Sequence, residues 1–235
     1  EQSVLDNVDI SIVVSRELLA RKAGPGREIF LVENAVDIGP YDAVRKNPRV
    51  PADLESIPRP RLGYSGLIGK RLELTLLYEL AKARQDWSIV LLGKVDQREC
   101  AAEIADLSNL SNVYFLGEKP HEVVPDYVSN LDIGLLPYRI NLETRNISPL
   151  KMYEYLAAGL PVVSTGIPAA LVHKDLVDIR DCVNGFIHAC DNQLASQNVL
   201  GVEDRIAFAR QNTWESRVEH LWEILCSKLE VEARG

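Results

Sequence analysis

Short runs rich in valine, isoleucine and leucine alternate along this chain with longer stretches of helical period. Ile10–Ser15, Ile29–Glu33, Arg61–Gly66, Ser88–Gly93, Val113–Gly117, Asp132–Pro137, Val162–Thr165 and Gly185–His188 predict strands. Between them Lys70–Arg84, Gln97–Leu107, Pro120–Asn130, Pro149–Ala158 and Pro168–Asp175 predict helices, and Trp214–Leu229 predicts a closing amphipathic helix. Runs such as IVLLG and DIGLLP are apolar on both faces, which suits a parallel sheet covered by helices on both sides. The alternation of strand and helix implies right-handed βαβ units and a doubly wound, Rossmann-like α/β sheet.

One stretch breaks the rhythm. Residues 35–60 carry Pro40, Pro48, Pro51, Pro58 and Pro60 among scattered charges, and read as a connector. The expected division is therefore 1–34 as the end of a preceding unit, 35–60 as linker, 61–212 as the main α/β domain and 213–235 as the terminal helix.

Composition narrows the function classes. The chain has 235 residues, 46% apolar and 26% charged, as an ordinary globular domain does. Its 26 basic residues face 34 acidic ones, a net charge of −8, which argues against a nucleic-acid partner because such a partner demands a basic face. No run of eighteen apolar residues is present, so no transmembrane segment is expected. The opening EQSVLDNVDISIVVS reads as mid-fold sequence rather than a leader. Cys100, Cys182, Cys190 and Cys226 lack metal-ligand spacing. They read as thiols of a cytoplasmic protein, with a Cys182–Cys190 bridge as the alternative. His121 opens a predicted helix, His188 falls in a predicted strand, and His173 and His220 sit on helical stretches; none stands beside a nucleophile.

Open α/β sheets take ligands at the carboxyl ends of their strands, so the strand-to-helix loops Gly66–Arg71, Gly93–Gln97, Gly117–Pro120, Tyr138–Pro149 and Thr165–Pro168 matter most. In YSGLIGKRLEL, Gly66 and Gly69 lead into a helix with Lys70 and Arg71 in its first turn, an arrangement that suits an anion or a plain tight turn. In NISPLKMYEYLAAGLPVVST, Ser148 is a good N-cap, Pro149 suits the first helical position, and Gly159 suits the helix end. Glu154 lies within this short helix among Leu150, Met152, Leu156 and Ala157. A carboxylate so placed needs partners: the vicinal hydroxyls of a ribose, or Lys151 three residues back.

The run Ser148–Thr165 resembles the donor-site signature of retaining GT-B glycosyltransferases (glycosyl transferases group 1, family 4-like). SIVLLGK, NVYFLGEKPHEVVPDYVSNLDIGLLPY and NTWESRVEHLWEIL resemble further parts of the same domain, in the family's order. The resemblance implies a GT-B C-terminal domain that binds a nucleoside diphosphate sugar, for hexosyl transfer to an acceptor hydroxyl in glycan biosynthesis. On this resemblance Glu154 holds the ribose, and Gly117 and Lys119 line the base-reading loop. Ser148, Pro149 and Leu150 form the junction facing diphosphate or sugar, and Gly66 and Leu67 approach the phosphates. Two departures stand out. Asn146 occupies the position of a family glutamate that reaches the sugar, and Leu67 stands where an arginine often follows the first-loop glycine. Lys70, Arg71, Arg139 and Arg145 are the candidate replacement cations. No Asp-x-Asp triplet occurs, so neither metal nor cofactor is expected. The resemblance places the acceptor, a glycan or lipid-linked sugar, on a domain outside this chain, so the fragment is expected to bind nucleotide without turnover and holds no assigned catalytic residue. The implied location is the cytoplasm, with the inner membrane face as the alternative. Rival readings are a non-catalytic GT-B module serving as a partner subunit and a sugar-nucleotide epimerase on the same fold; the missing glycine fingerprint argues against a Rossmann oxidoreductase.

Overall fold

A computed structural model describes residues 2–5, 7–196 and 199–232. The chain opens with a helical turn, α1 (Gln2–Leu5), then β1 (Ser11–Val13), α2 (Arg16–Lys22) and β2 (Ile29–Leu31). β1 and β2 pair in parallel as a small sheet of their own. The proline-rich stretch contains two helices, α3 (Ile38–Lys46) and α4 (Ala52–Glu55). Asp37 caps α3 by accepting from the Gly39 amide at 3.0 Å. Pro40 falls in the first turn, where its missing N–H costs no intrahelical bond.

The main sheet alternates strand and helix: β3 (Arg61–Ser65), α5 (Leu74–Ala83), β4 (Ser88–Leu92), α6 (Ala101–Ser108), β5 (Val113–Gly117), α7 (Val124–Val128), β6 (Ile133–Leu136), α8 (Leu150–Ala157), β7 (Val162–Ser164), α9 (Pro168–Leu171) and β8 (Val177–Ile179). Three helices follow, α10 (Val183–Ala195), α11 (Val199–Gln211) and α12 (Trp214–Glu232). All six strands are parallel, in the order β5-β4-β3-β6-β7-β8. That is the doubly wound Rossmann-type order, with its topological switch point between β3 and β6. α5, α6 and α10 pack together along one side, and α7, α8 and α11 along the other. The middle strands β3, β4 and β6 are buried at every residue, which accounts for the apolar runs IVLL of β4 and IGLL of β6.

The predicted strand Gly185–His188 is corrected: these residues lie inside α10, and the last strand is β8. Phe186, Ala189 and Cys190, at helical spacing, form the buried face of α10. β8, at three residues flanked by charges, is too short to show a period. The cysteines of the described residues are all free thiols. No described helix is long and apolar enough to cross a membrane. On α12, Trp214, Val218, Trp222, Leu225 and Leu229 recur at helical spacing and are all exposed.

Candidate functional site

Beside the switch point a cleft of about 320 Å³ opens at the carboxyl ends of the strands. Ser65, Gly66 and Leu67 line it from the end of β3, Leu92, Gly93 and Lys94 from β4, and Glu118 and Lys119 from β5, with His121, Val124 and Lys151 completing the wall. The loops after β3 and β4 touch there. Gly66 and Gly93 adopt φ of 144° and 140°, and a Cβ on Gly93 would lie 2.0 Å from the Gly66 carbonyl oxygen. Only glycine tolerates both demands. The Gly66 amide donates to Leu92 O at 2.8 Å and the Gly93 amide to Gly117 O at 2.9 Å, so the rim is rigid backbone.

α8 forms the opposite side. The Tyr155 hydroxyl accepts from the Ser65 amide at 2.7 Å and ties the helix to the end of β3. Glu154 has a side-chain exposure of only 9%, and Lys151 Nζ stands 3.1 and 3.3 Å from its two oxygens. The ion pair foreseen as one alternative is therefore formed, at the edge of the cleft. The capping expectation for Ser148 is corrected: α8 starts at Leu150 with Pro149 as its cap and no side-chain cap bond. Ser148 is instead held by the N-terminal segment. Its Oγ accepts from the Asn34 amide at 3.4 Å, and its carbonyl accepts from Asn34 Nδ2 at 2.5 Å. Leu150 is exposed and Pro149 buried.

The candidate cations divide. Lys119 lines the cleft, paired with Asp53 of α4 at 2.7 Å. The hydrogen bond to Asp53 raises its pKa above the usual lysine value. Asp53 also accepts from the Tyr127 hydroxyl at 2.7 Å. Lys70, Arg71 and Arg139 face acids instead: Lys70 pairs with Glu99 at 2.6 Å, Arg71 with Glu143 at 2.7 Å, and Arg139 with Glu103 at 3.4 Å. Lys70, Arg139 and Glu143 border a separate hollow of about 480 Å³ with Asn141 and Leu142. Arg145 is exposed on the 3-10 turn Thr144–Asn146. The Asn146 side chain turns into its own loop, its Nδ2 donating to Leu142 O at 2.5 Å, while the Asn146 backbone carbonyl accepts from Ser15 Oγ at 3.0 Å. Gly117, with φ of 69°, closes β5 beside the cleft.

Gly66, Leu67 and Lys119 thus meet in the cleft, with Glu154 reaching its edge through Lys151. Lys94, Glu118 and His121 are cleft residues the sequence reading did not single out; Lys94 follows a strand-ending glycine, which was the available signal. A larger groove of about 680 Å³ runs along β8, lined by Lys174, Arg180, Asp204 and Arg205 among others. β8 is the edge strand two places beyond β6, so that groove lies away from the switch point. Among the described residues no group of three or more His, Cys, Asp or Glu side chains gathers as a metal site.

The profile of Glycosyl transferases group 1 matches residues 59–198. A putative teichuronic acid biosynthesis glycosyltransferase, TuaH of Bacillus subtilis (strain 168), is 31% identical over 221 residues, which cover 89% of this chain and 54% of the relative. The chain therefore spans about half the length of that curated relative. Anabaena HepE, crystallised with UDP and glucose, superposes with a TM-score of 0.74 at 14% identity, over 95% of this chain and 64% of that one. The UDP-forming α,α-trehalose-phosphate synthase of Burkholderia xenovorans, in complex with glucose-6-phosphate, gives 0.75 at 11% identity, over 95% and 62%. At those identities the two structures speak for the fold, a GT-B C-terminal domain.

Proposed function

Because the chain belongs to the glycosyl transferases group 1 family, we propose that its cleft holds a nucleoside diphosphate sugar and presents the sugar to an acceptor hydroxyl. The observation that carries this reading is Glu154. It is a nearly buried carboxylate at the edge of a cleft walled by glycine loops, with Lys151 occupying its acceptor positions. Two adjacent ribose hydroxyls would take the same two oxygens as donors. Gly66, Leu67, Ser148, Pro149 and Leu150 would flank the diphosphate and sugar, Pro149 without an amide to offer, and Gly117 and Lys119 the base. The UDP seen in HepE supports a ligand of this class.

In the proposed reaction the bond from the anomeric carbon to the β-phosphate oxygen breaks, a bond to the acceptor oxygen forms, and the proton of the acceptor hydroxyl passes to the departing diphosphate. Cations and backbone amides would stabilise the departing diphosphate without a metal or cofactor. Residues 1–34 would end an acceptor-binding unit, 35–60 would cross to the donor domain at 61–212, and the helix from 213 would close it. The acceptor, a glycan or lipid-linked sugar, would sit on the preceding unit, so this chain alone would bind donor without turnover, in the cytoplasm or against the inner membrane face.

Calorimetric titration with UDP, GDP and ADP tests the reading. One of the three should bind, and Glu154→Ala should weaken that binding; a chain that binds none of them overturns it.

A further inference from the structure

Three lysines line the cleft, Lys94, Lys119 and Lys151. Lys119 is engaged by Asp53, and Lys151 by Glu154 as long as no ribose takes its place there. The Lys94 ammonium has no hydrogen-bond or ion-pair partner among the described residues, and the side chain is exposed. Its position is nonetheless fixed by backbone. The register that pairs Ser65 with Leu92 continues to the bridge between Ile68 and Val95, and the Ile68 amide donates to Lys94 O at 2.9 Å. The same offset sets Lys94 opposite Leu67. Both residues line the cleft, Lys94 from the loop after β4 and the exposed Leu67 from the loop after β3.

We propose that Lys94 is the residue that neutralises the diphosphate of the bound nucleotide. The proposal rests on the reading of this cleft as a nucleoside diphosphate site and adds a binding residue to it. Lys70, Arg71 and Arg139 are held by Glu99, Glu143 and Glu103, and moving any of them to the cleft would break an existing ion pair. Lys94 breaks none. Leu67 supplies no charge to the first loop, and Lys94, on the neighbouring loop of the same cleft, supplies it from the second. An ammonium beside a phosphate gains a charge-assisted hydrogen bond, whereas base and ribose carry no net charge for it to meet.

The experiment compares wild type, Lys94→Gln and Lys94→Arg in calorimetric titrations. The probes are whichever of UDP, GDP or ADP binds wild type best, and the corresponding free nucleoside. Lys94→Gln should bind the diphosphate about tenfold or more weakly, the effect of losing one charged hydrogen bond. Its affinity for the nucleoside should match wild type, and Lys94→Arg should keep most of the diphosphate affinity. Because Lys94 is exposed and unpaired, the variants should melt with wild type. Unchanged diphosphate affinity in Lys94→Gln, or an equal loss for nucleoside and diphosphate, overturns the assignment while leaving the cleft reading intact. Failure of wild type to bind any of the three overturns the cleft reading itself.

Discussion

Lys151 Nζ lies 3.1 Å from Glu154 Oε2, one helical turn away on α8, and shields a carboxylate that is almost wholly buried. The two readings of Glu154, as an ion-pair partner and as a ribose ligand, are therefore successive states of one group in the proposed function. The ammonium fills the acceptor positions until donor hydroxyls replace it.

Lys151→Ala should leave Glu154 without that partner. Removing one half of a partly buried charged pair costs about 1–3 kcal/mol, which lowers the melting temperature by roughly 2–4 °C per kcal/mol in a chain of this size. Saturating nucleotide should narrow the deficit, because ribose hydroxyls then satisfy the carboxylate. Thermal melts with and without nucleotide read both effects; an unchanged midpoint without ligand contradicts the first.

Gly93→Ala should damage the cleft. Its φ of 140° and the 2.0 Å approach to Gly66 O leave no room for a methyl group. The loops after β3 and β4 must part to admit one, at a cost of about 2 kcal/mol or more. Nucleotide affinity should fall with stability. A variant as stable as wild type would show that the loops yield freely.

Asp53 should shape the acid limb of stability. Burial pushes its carboxyl pKa up, but hydrogen bonds from Lys119 and Tyr127 outweigh this and hold it below the ordinary 3.8. A carboxyl depressed in the folded state contributes stability that is full above the unfolded value and is lost as pH falls through the folded one. On acidification from about pH 5 to about pH 3, wild type should therefore lose more stability than Asp53→Asn. Urea midpoints at the two pH values make the comparison, and parallel losses would remove Asp53 from the acid response.

The strands of the main sheet were legible from β3 to β7, most plainly β4 and β6, whose apolar runs IVLL and IGLL are buried on both faces and admit few other readings. β8 escaped notice because three residues carry no period, and GFIH passed for a strand because Phe and Ile favour strands when seen outside the helical spacing that buries Phe186 and Cys190. The prolines hid α3, although Pro40 sits where a helix accepts it. Within the site, Glu154 and the glycine loops could be read locally. The fate of the cations could not: Arg71 meets Glu143 and Lys119 meets Asp53 across long stretches of chain, and only the fold decides such pairings. Ser148 likewise looked like a cap until the fold brought Asn34 to it.

The most direct measurement of the ribose assignment titrates wild type with its best-bound nucleoside diphosphate and with the 2′,3′-dideoxy counterpart. If Glu154 holds the ribose hydroxyls, the dideoxy compound should bind about tenfold or more weakly, since charged hydrogen bonds are lost. Equal affinities would mean that Glu154 serves only its ion pair with Lys151.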